Sequence, residues 1–454
     1  MNTWTMHVEN FSKIKSAEIE VSPLTLFVGE NNSGKRYLMT LIYGLLNLNF
    51  YYDQYAFDEQ SENYSRCVQF IDRILQGEKQ MDDSFRQIEM DNEDVSTFEG
   101  ILNELLSMNK ENFVKNLFNK SIDIGHLSLK FHRKNKYVLM YHIALSTDQI
   151  KHITLMGMSD KVYPTIERAC QVGRKDNQYS YNSLLSFILQ YMIWGDFQAP
   201  VYFPTARTGY ILTYNALVES ALKDKFNLNT AQKNLLTRPN SDFLTKLSGI
   251  AGNNHSDAKS ESLFNRTQAA VRIIEKNIIK GQVSVSDLPA HEIFYYPRET
   301  DLQLPMFVTS GVVTEMTPLL LFFRNGAAET VLIEEPEISL HPQLQCEMAR
   351  VLVRLANYEI PVFVTTHSDL IIQHINNMIK LSVIPDRDSI AEKLGYEKCD
   401  WIERDKVHVY QFNVDDNQKT TVTELSCGEY GFEAMTFYDT MEQLNRQTMM
   451  IEEA

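Results

Sequence analysis

The chain contains few cysteines, and they form no recognisable motif. There are 5 among 454 residues, an odd number, and no pair has the C-x-x-C spacing. A disulfide framework needs paired cysteines, so we expect reduced and mostly buried thiols, as in a cytoplasmic protein. The cysteines are Cys67, Cys170, Cys346, Cys399 and Cys427.

Long apolar runs and an excess of basic residues are absent as well. No stretch of about 18 apolar residues occurs, so a membrane span is not expected. The first residues lack a basic segment followed by an apolar one, so a signal peptide is not expected either. The 43 Lys and Arg are outnumbered by 59 Asp and Glu, which gives a net charge of −16. This balance argues against a protein that coats nucleic acid, but leaves open a local basic groove or an acidic surface for a basic partner.

Glycine and proline are also scarce, at 18 and 13 residues, while hydrophobic residues make up 44% of the chain. Such a composition is typical of a folded protein with ample material for a core. The length exceeds the usual size of one compact core, so two or three structural lobes are expected.

A glycine-rich stretch near the N-terminus, Gly29-Glu-Asn-Asn-Ser-Gly-Lys35, carries the most specific chemical signal. It follows the apolar run Leu24–Val28, which predicts a strand, and precedes Tyr37–Tyr43, which predicts a helix. The G-x-x-x-x-G-K spacing in that context is typical of a phosphate-binding P-loop. Glycines let several N–H groups face one anion, and the lysine reaches the terminal phosphates. A loop that only turns the chain is the alternative. The candidate nucleotide-binding residues are Gly29, Asn31, Asn32, Ser33, Gly34, Lys35 and Arg36.

The residue after the lysine departs from the P-loop pattern. That position normally holds Ser or Thr, whose hydroxyl coordinates magnesium, and here it is Arg36. An arginine cannot ligate a cation, although it can contact a phosphate oxygen. We therefore expect either a metal that is held differently or slow hydrolysis. A decayed site fits less well, because both glycines and Lys35 are present.

Far along the chain, the stretch Glu329–Glu337 contains a predicted apolar strand that ends in two adjacent carboxylates, Glu334 and Glu335. Neighbouring side chains on a strand point to opposite faces, but the chain curls at a strand end, so both are expected to face a ligand. Glu334 is the candidate magnesium ligand, and Glu335 is the candidate general base. Asp is usual at the first position, so we hypothesise that Glu334 and Arg36 compensate each other. An exposed acidic turn is the alternative.

Three further features lie near this strand in sequence. Ser339–Pro342 precedes a predicted helix, and the apolar strand predicted at Pro361–Thr366 ends next to His367. Ligands of open α/β sheets collect at that edge, so His367 is a candidate contact of the γ-phosphate or of the attacking water. A structural histidine is the alternative. Upstream, Ser310 and Gly311 open a predicted helix and form a second anion-binding N-terminus, which is a weak signal alone.

Helical and strand patterns divide the chain into successive segments. Strands predicted at 126–132 and 137–143 flank Arg133–Lys136, which indicates a hairpin turn. No sustained heptad run occurs, so no long coiled coil is expected. The segments are an N-terminal lobe with the P-loop at 1–50, a helical insertion at 51–121, a β-rich part at 122–210, a second helical insertion at 211–285 and a C-terminal lobe with the paired glutamates at 286–454.

The order of these motifs resembles the ATPase head of the ATP-binding-cassette (ABC) class, in its soluble SMC and DNA-repair branch. Gly29–Lys35 is similar to the Walker A motif, Glu334–Pro336 to Walker B, Ser339–Pro342 to the D-loop and Thr366–Ser368 to the switch histidine, while Thr309–Gly311 matches the signature loop in part. The resemblance implies an α/β P-loop fold, with a mixed β-sheet and flanking helices, that binds ATP and Mg²⁺. It also implies head-to-tail dimers, in which ATP lies between the P-loop of one copy and the signature loop of the other.

The same resemblance implies a role for each candidate residue. Lys35 binds the β- and γ-phosphates, Glu334 attends magnesium, and Glu335 activates water. His367 senses the γ-phosphate, and the signature residues Ser310 and Gly311 close the site of the other copy.

Closer still, Tyr202–Gly209 is similar to the Pro-x-x-Arg-Thr-Gly stretch of bacterial anti-phage ATPases related to the OLD nucleases. Val409–Phe412 and Tyr430–Phe437 resemble the tail of the same proteins. OLD nucleases carry a further TOPRIM domain, for which the residues after His367 are too few. The resemblance therefore implies an ATPase subunit of a PARIS-like or Septu-like defence system, which scaffolds and controls a separate TOPRIM-like or HNH nuclease. A phage-encoded trigger is the signal that such a subunit senses.

Other functions stay open at this point. A DNA-maintenance ATPase of the SMC or recombination type would act directly on DNA, but the acidic charge and the missing coiled coil count against it. The chain could also be a nuclease itself, with a catalytic pair among the acids of 51–121, although a solvated helix face explains those acids better. A nucleotide-binding scaffold without turnover is the reading that Arg36 motivates.

Overall fold

The chain divides into two compact units. The first unit comprises Met1–Val21, Gly44–Asn116 and Lys120–Gln198; the second unit comprises Ser22–Tyr43, Leu117–Asn119 and Ala199–Ala454. The computed structural model describes residues 3–48, 57–76, 85–132, 136–145, 151–158, 166–172, 177–195, 200–205, 207–213, 236–252, 258–286, 292–429, 431–433 and 435–452.

The strands of these residues are β1 (Trp4–Phe11), β2 (Ile14–Glu20), β3 (Leu24–Gly29), β4 (Arg86–Glu89), β5 (His126–Phe131), β6 (Val138–Leu145), β7 (Lys151–Met158), β8 (Ile166–Val172), β9 (Pro200–Phe203), β10 (Gly281–Val285), β11 (Ile293–Pro297), β12 (Leu304–Pro305), β13 (Thr330–Glu334), β14 (Val362–Thr366), β15 (Val407–Val414) and β16 (Thr420–Glu424). The α-helices are α1 (Lys35–Leu46), α2 (Glu62–Gln76), α3 (Asn92–Phe118), α4 (Asn177–Trp194), α5 (Arg238–Gly252), α6 (Ala258–Ile273), α7 (Gly311–Arg324), α8 (Pro342–Asn357), α9 (Asp369–Val383), α10 (Arg387–Leu394) and α11 (Met435–Glu452).

The first unit contains two antiparallel groups of strands. In one group β1 pairs with both β2 and β5, and in the other β6 pairs with β4 and β7, and β7 with β8. Alternate residues of β1 are buried, as expected for strands that cover a core with one face. The hairpin predicted around Arg133–Lys136 is wrong, because β5 and β6 belong to different groups; residues 133–135 themselves lie outside the described part. The helical pattern of 51–121 corresponds to α2 and α3, with the short strand β4 between them.

The second unit is built on a mixed sheet with the order β16-β15-β3-β14-β13-β9. From β15 to β9 all neighbours are parallel, and β16 runs antiparallel to β15 at one side. Every residue of β3, β13 and β14 is buried, which explains why their sequences are mainly apolar and do not alternate with polar residues. The register pairs Val28 with Thr366 and Glu334 with Thr365. The carboxyl ends of three parallel strands therefore lie side by side.

Helices α7, α8 and α9 contribute much of the core against this sheet. Their buried residues, such as Leu320, Leu352 and Ile375, share one hydrophobic cluster with Leu26 of β3. Aromatic rings fill the part next to β9, where Phe203 meets Phe322 edge-on with 5.2 Å between the ring centroids. Such interdigitated packing fixes the strand ends, and with them the side chains that follow.

The architecture is the α/β fold with a mixed sheet and flanking helices that the sequence predicted, with the P-loop between β3 and α1. The longest described helix is α3, with 27 residues, so the described part contains no long coiled coil. None of the described helices has the length and apolarity needed to cross a membrane. The boundaries of the segments at 1–50, 51–121, 122–210, 211–285 and 286–454 stay a prediction.

Candidate functional site

The P-loop has a backbone that other residues could not easily adopt. Gly29, at the end of β3, has φ of 137°, and a Cβ atom there would lie 2.7 Å from the carbonyl oxygen of Phe412. Gly34 has φ of 102° just before α1 begins. Both glycines are thus required by conformation, and the first also by space. The loop ends at the N-terminus of α1, where free N–H groups favour an anion.

Three loop residues between the glycines differ in exposure. Asn31 and Asn32 are exposed, and Asn32 has the left-handed φ of 60°. Ser33 is buried, and its carbonyl oxygen accepts a hydrogen bond of 2.7 Å from the hydroxyl of Thr420 on β16. Strand β16 therefore holds the P-loop in place through this hydrogen bond.

The ammonium group of Lys35 lies inside the P-loop. Its Nζ donates hydrogen bonds to the carbonyl oxygens of Gly29 and Glu30, at 2.9 and 2.7 Å. Burial lowers the pKa of Lys35 from 10.5 to about 8, while the charge of Glu335, followed by those of Glu337 and Glu30, opposes this shift. The lysine is thus a buried cation beside several carboxylates, ready to meet phosphate oxygens.

Glu334 is almost completely enclosed by hydrogen-bond donors. Its side chain is 2% exposed. Oε2 accepts from both the backbone N–H and the hydroxyl of Thr205, at 3.0 and 2.6 Å. Oε1 accepts from the hydroxyl of Tyr202 and lies 3.0 Å from Nε of Arg36. The two departures from the usual motifs therefore meet in one ion pair.

Glu335 is more open and has a strained backbone. Its φ of 43° is left-handed, and its side chain is 32% exposed. Burial and the charge of Glu334 raise its pKa, against the lowering effect of Lys35. A more basic carboxylate at a strand end suits a general base. Sequence reasoning expected both carboxylates to face a ligand; the roles of Glu334 and Glu335 at a ligand stay predictions.

His367 lies next to Glu335, with 3.8 Å between Nε2 and Oε1. Burial, together with the charge of Lys35, lowers the pKa of His367 to about 4. The imidazole is therefore neutral near pH 7, and its approach to Glu335 is not an ion pair. A neutral imidazole can donate or accept a hydrogen bond to a phosphate or a water.

Glu337 was not singled out by the sequence, although it is the third carboxylate of Glu334-Glu-Pro-Glu337. Its Oε1 accepts a 2.6 Å hydrogen bond from the backbone N–H of His367. Burial raises the pKa of Glu337. This contact fixes the chain at the end of β14 relative to the end of β13.

Arg207 is the main residue whose role was missed. It is fully buried, and its Nε donates a 2.8 Å hydrogen bond to Glu315 on α7. Nη1 and Nη2 donate to the carbonyl oxygens of Glu334 and Glu335, at 2.7 and 3.2 Å. Thr208 completes the link, because its N–H donates to Glu315 at 3.1 Å. The Pro-x-x-Arg-Thr-Gly stretch thus ties the paired glutamates to the helix that Ser310 and Gly311 open.

Ser310 and Gly311 lie where the sequence placed them, at the N-terminus of α7. Ser310 is the N-cap residue, is exposed, and makes no capping bond with its side chain. A Cβ atom on Gly311 would lie 3.2 Å from Oγ of Ser339. The described contacts bring together Lys35, Arg36, Glu334, Glu335, Glu337 and His367; the role of the α7 N-terminus at a second copy stays a prediction.

The expected Mg²⁺ does not fit these residues well. Magnesium needs oxygen ligands with near-octahedral geometry, and Arg36 replaces the hydroxyl that would supply one. Both oxygens of Glu334, the residue predicted as the metal ligand, already accept from donors. Within the described ranges no cluster of three or more His, Cys, Asp or Glu side chains could hold a metal ion.

ATP affinity is expected to decrease above about pH 8, because phosphate binding needs the charged form of Lys35. The decrease approaches tenfold per pH unit. The effect on folding stability has the opposite sign. Between pH 8 and 10.5 Lys35 is protonated in the unfolded chain but not in the folded chain without nucleotide, so this group makes the free energy of unfolding rise with pH. The measurement is the Kd of a fluorescent ATP analogue at constant ionic strength. The Lys35→Arg variant, charged throughout, should show no such decrease; a pH-independent Kd in the unchanged chain would contradict the assignment.

The chain matches one protein-family model. A family model described as the AAA ATPase domain matches residues 1–171 and 208–372. No curated protein matches the chain. Several solved structures are similar to this chain, and three of them are SMC heads. One is an SMC head bound to the C-winged helix domain of ScpA, and another is the SMC head domain from Thermotoga maritima. The third is an SMC head domain with an extended coiled coil bound to the C-terminal domain of ScpA, derived from Pyrococcus furiosus.

Their sequence identities to this chain are 12%, 10% and 14%, and their TM-scores are 0.37, 0.34 and 0.35. They cover 93%, 94% and 98% of this chain, and 97%, 100% and 98% of their own. Likenesses at such low TM-scores support no conclusion about this chain. The family model extends over well more than half of the residues, and its two matched ranges contain the P-loop, the paired glutamates and His367; the chain belongs to the AAA ATPase domain family.

Proposed function

We propose that this chain is an ATP-driven switch, in which two copies bind nucleotide between the P-loop of one and the α7 N-terminus of the other. The observation that carries the proposal is the convergence of Lys35, Glu335 and His367 at one edge of the sheet. Phosphate binding, water activation and γ-phosphate sensing need these three kinds of group together. Hydrolysis at Glu335 would then reset the switch.

The exposed surface near Ser310 supports a second copy as the partner. Phe307 is 78% exposed and Val308 is 56% exposed, three and two residues before Ser310, the N-cap of α7. Large apolar side chains in such a position favour burial against another protein surface. A head-to-tail pair related by a two-fold axis would cover both patches at once and close two identical sites.

We further propose that the switch works in the cytoplasm as part of an anti-phage defence system. In this proposal, the ATP-bound pair holds a separate effector, a TOPRIM-like or HNH nuclease, and a phage-encoded trigger releases it. Two observations support it: the Pro-x-x-Arg-Thr-Gly stretch organises the ATP site through Arg207, and the net charge of −16 suits protein partners better than DNA. Stimulation of ATP turnover by DNA, with strong salt dependence, would favour the DNA-maintenance alternative instead.

The Glu335→Gln variant is expected to trap the ATP-bound pair. The amide keeps the size of the side chain but cannot accept the proton of the attacking water, so turnover should fall about 100-fold or more. Light scattering with ATP should then show a long-lived dimer, whereas the unchanged chain returns to monomer as ATP is consumed. The matched control is Glu392→Gln, at an exposed position of α10. A Glu335→Gln chain that stays monomeric with saturating ATP would contradict the proposed switch.

A further inference from the structure

Arg36 occupies the position that normally recruits the metal ion of a P-loop. It is the second residue of α1, directly after Lys35, and its Nε lies 3.0 Å from Oε1 of Glu334. In the usual arrangement a Ser or Thr hydroxyl at this position and the Walker B acid lie on either side of Mg²⁺. Here the guanidinium of Arg36 stands at the first of these positions and forms an ion pair with Glu334 at the second.

Glu334 has no capacity left for a metal or for its water ligands. A carboxylate offers about four lone-pair directions. On Glu334, Thr205 fills two of them, and Tyr202 and Arg36 fill the others. A magnesium ion would have to displace a buried ion pair and gain no hydroxyl ligand in return. The donor set therefore favours the arginine over the metal.

The guanidinium is nevertheless accessible to a ligand. The Arg36 side chain is 55% exposed, although the carboxylate that holds it is 2% exposed. An arginine has five N–H donors, and Nε supplies only one of them to Glu334. Arg36 belongs to the first turn of α1, which is the turn that receives phosphate in a P-loop.

We propose that Arg36 replaces the divalent cation, so that this site binds a nucleoside triphosphate without Mg²⁺. Glu334 acts as the counter-ion that orients the guanidinium, and the exposed part of the Arg36 guanidinium neutralises the β- and γ-phosphates beside Lys35. The extra methylene of Glu334, compared with the usual Asp, lets its carboxylate reach the arginine. This inference rests on the proposed nucleotide site and defines which form of the ligand that site accepts.

The test measures binding of the non-hydrolysable analogue AMP-PNP by calorimetry, with excess Mg²⁺ or with EDTA. For the unchanged chain we expect Kd values within about twofold of each other. For Arg36→Thr, which restores the hydroxyl, we expect at least about tenfold weaker binding in EDTA and recovery with Mg²⁺, because a charge-assisted contact is replaced by a metal ligand. Arg36→Lys keeps a charge without the fork of donors and should bind in EDTA with intermediate affinity.

Each outcome separates this inference from the proposed function. Loss of binding by the unchanged chain in EDTA, with binding in Mg²⁺, would overturn the metal-free site and leave the nucleotide switch intact. Absence of binding in both conditions would overturn both. Thermal unfolding of each variant without nucleotide shows whether it is folded. If Arg36→Thr does not fold, the test uses Arg36→Lys and the unchanged chain. The metal-free site predicts that each of them binds AMP-PNP equally well with and without Mg²⁺, and a requirement for Mg²⁺ in either would overturn it.

Discussion

Replacement of Arg207 by alanine is expected to destabilise the chain by about 3–5 kcal/mol, because the buried carboxylate of Glu315 loses its counter-ion. The Glu315 side chain is 4% exposed, so water cannot compensate. The carbonyl groups of Glu334 and Glu335 lose their donors at the same time. Urea unfolding followed by circular dichroism measures the loss. An unchanged midpoint would show that the buried network contributes nothing.

The position of Arg207 also predicts a catalytic effect that stability alone would not give. It holds the carbonyl group of Glu335, whose φ of 43° needs support from its surroundings. The double variant Arg207→Met with Glu315→Leu removes both buried charges and should recover much of the stability. Its ATP turnover should stay about tenfold or more below that of the unchanged chain, while its Kd for ATP changes little. Equal recovery of turnover and stability would reduce Arg207 to a structural residue.

The second large effect is expected when either half of the composite site is removed. Lys35→Ala deletes the buried cation of the P-loop and should abolish ATP turnover and ATP-dependent pairing, as well as any protection of cells against phage. Ser310→Glu places a carboxylate opposite the nucleotide of the other copy and should have the same result through like-charge repulsion. The fold should survive, because Ser310 is exposed, makes no capping bond, and negative charge suits a helix N-terminus.

Matched controls separate these effects from general damage. Lys15→Ala removes an exposed lysine from β2 and should leave turnover unchanged. Ser310→Gln has nearly the shape of the glutamate variant but no charge, so it should retain most of the activity. If Ser310→Gln and Ser310→Glu are equally inactive, the charge argument for the α7 N-terminus is wrong.

The local parts of the site could be predicted from the sequence because they depend on short stretches of chain. The P-loop glycines, the apolar runs of β3, β13 and β14, and the helix that Gly311 opens all follow from contiguous residues. Parallel strands also place their carboxyl ends at one edge, so the meeting of Lys35, Glu335 and His367 could be expected.

The remaining contacts depend on strand order, which no local pattern reveals. Arg207 and Glu334 are 127 residues apart and meet because β9 pairs with β13 in parallel. The ion pair between Arg36 and Glu334 likewise joins α1 to the end of β13, while the role of Glu334 as a metal ligand stays a prediction. The predicted hairpin between β5 and β6 failed because β5 pairs with the remote strand β1, while β6 pairs with β4 and with the next strand, β7.

The central claim is that one copy of the chain completes the ATP site of another. Its most direct test mixes equal amounts of Lys35→Ala and Ser310→Glu chains, neither of which turns over ATP alone. Because neither variant pairs with itself in ATP, the pairs that form are mixed, and each has one intact site of two, so turnover should return towards about half of the unchanged value. A mixture as inactive as its components would mean that P-loop and α7 N-terminus do not share a nucleotide across two copies.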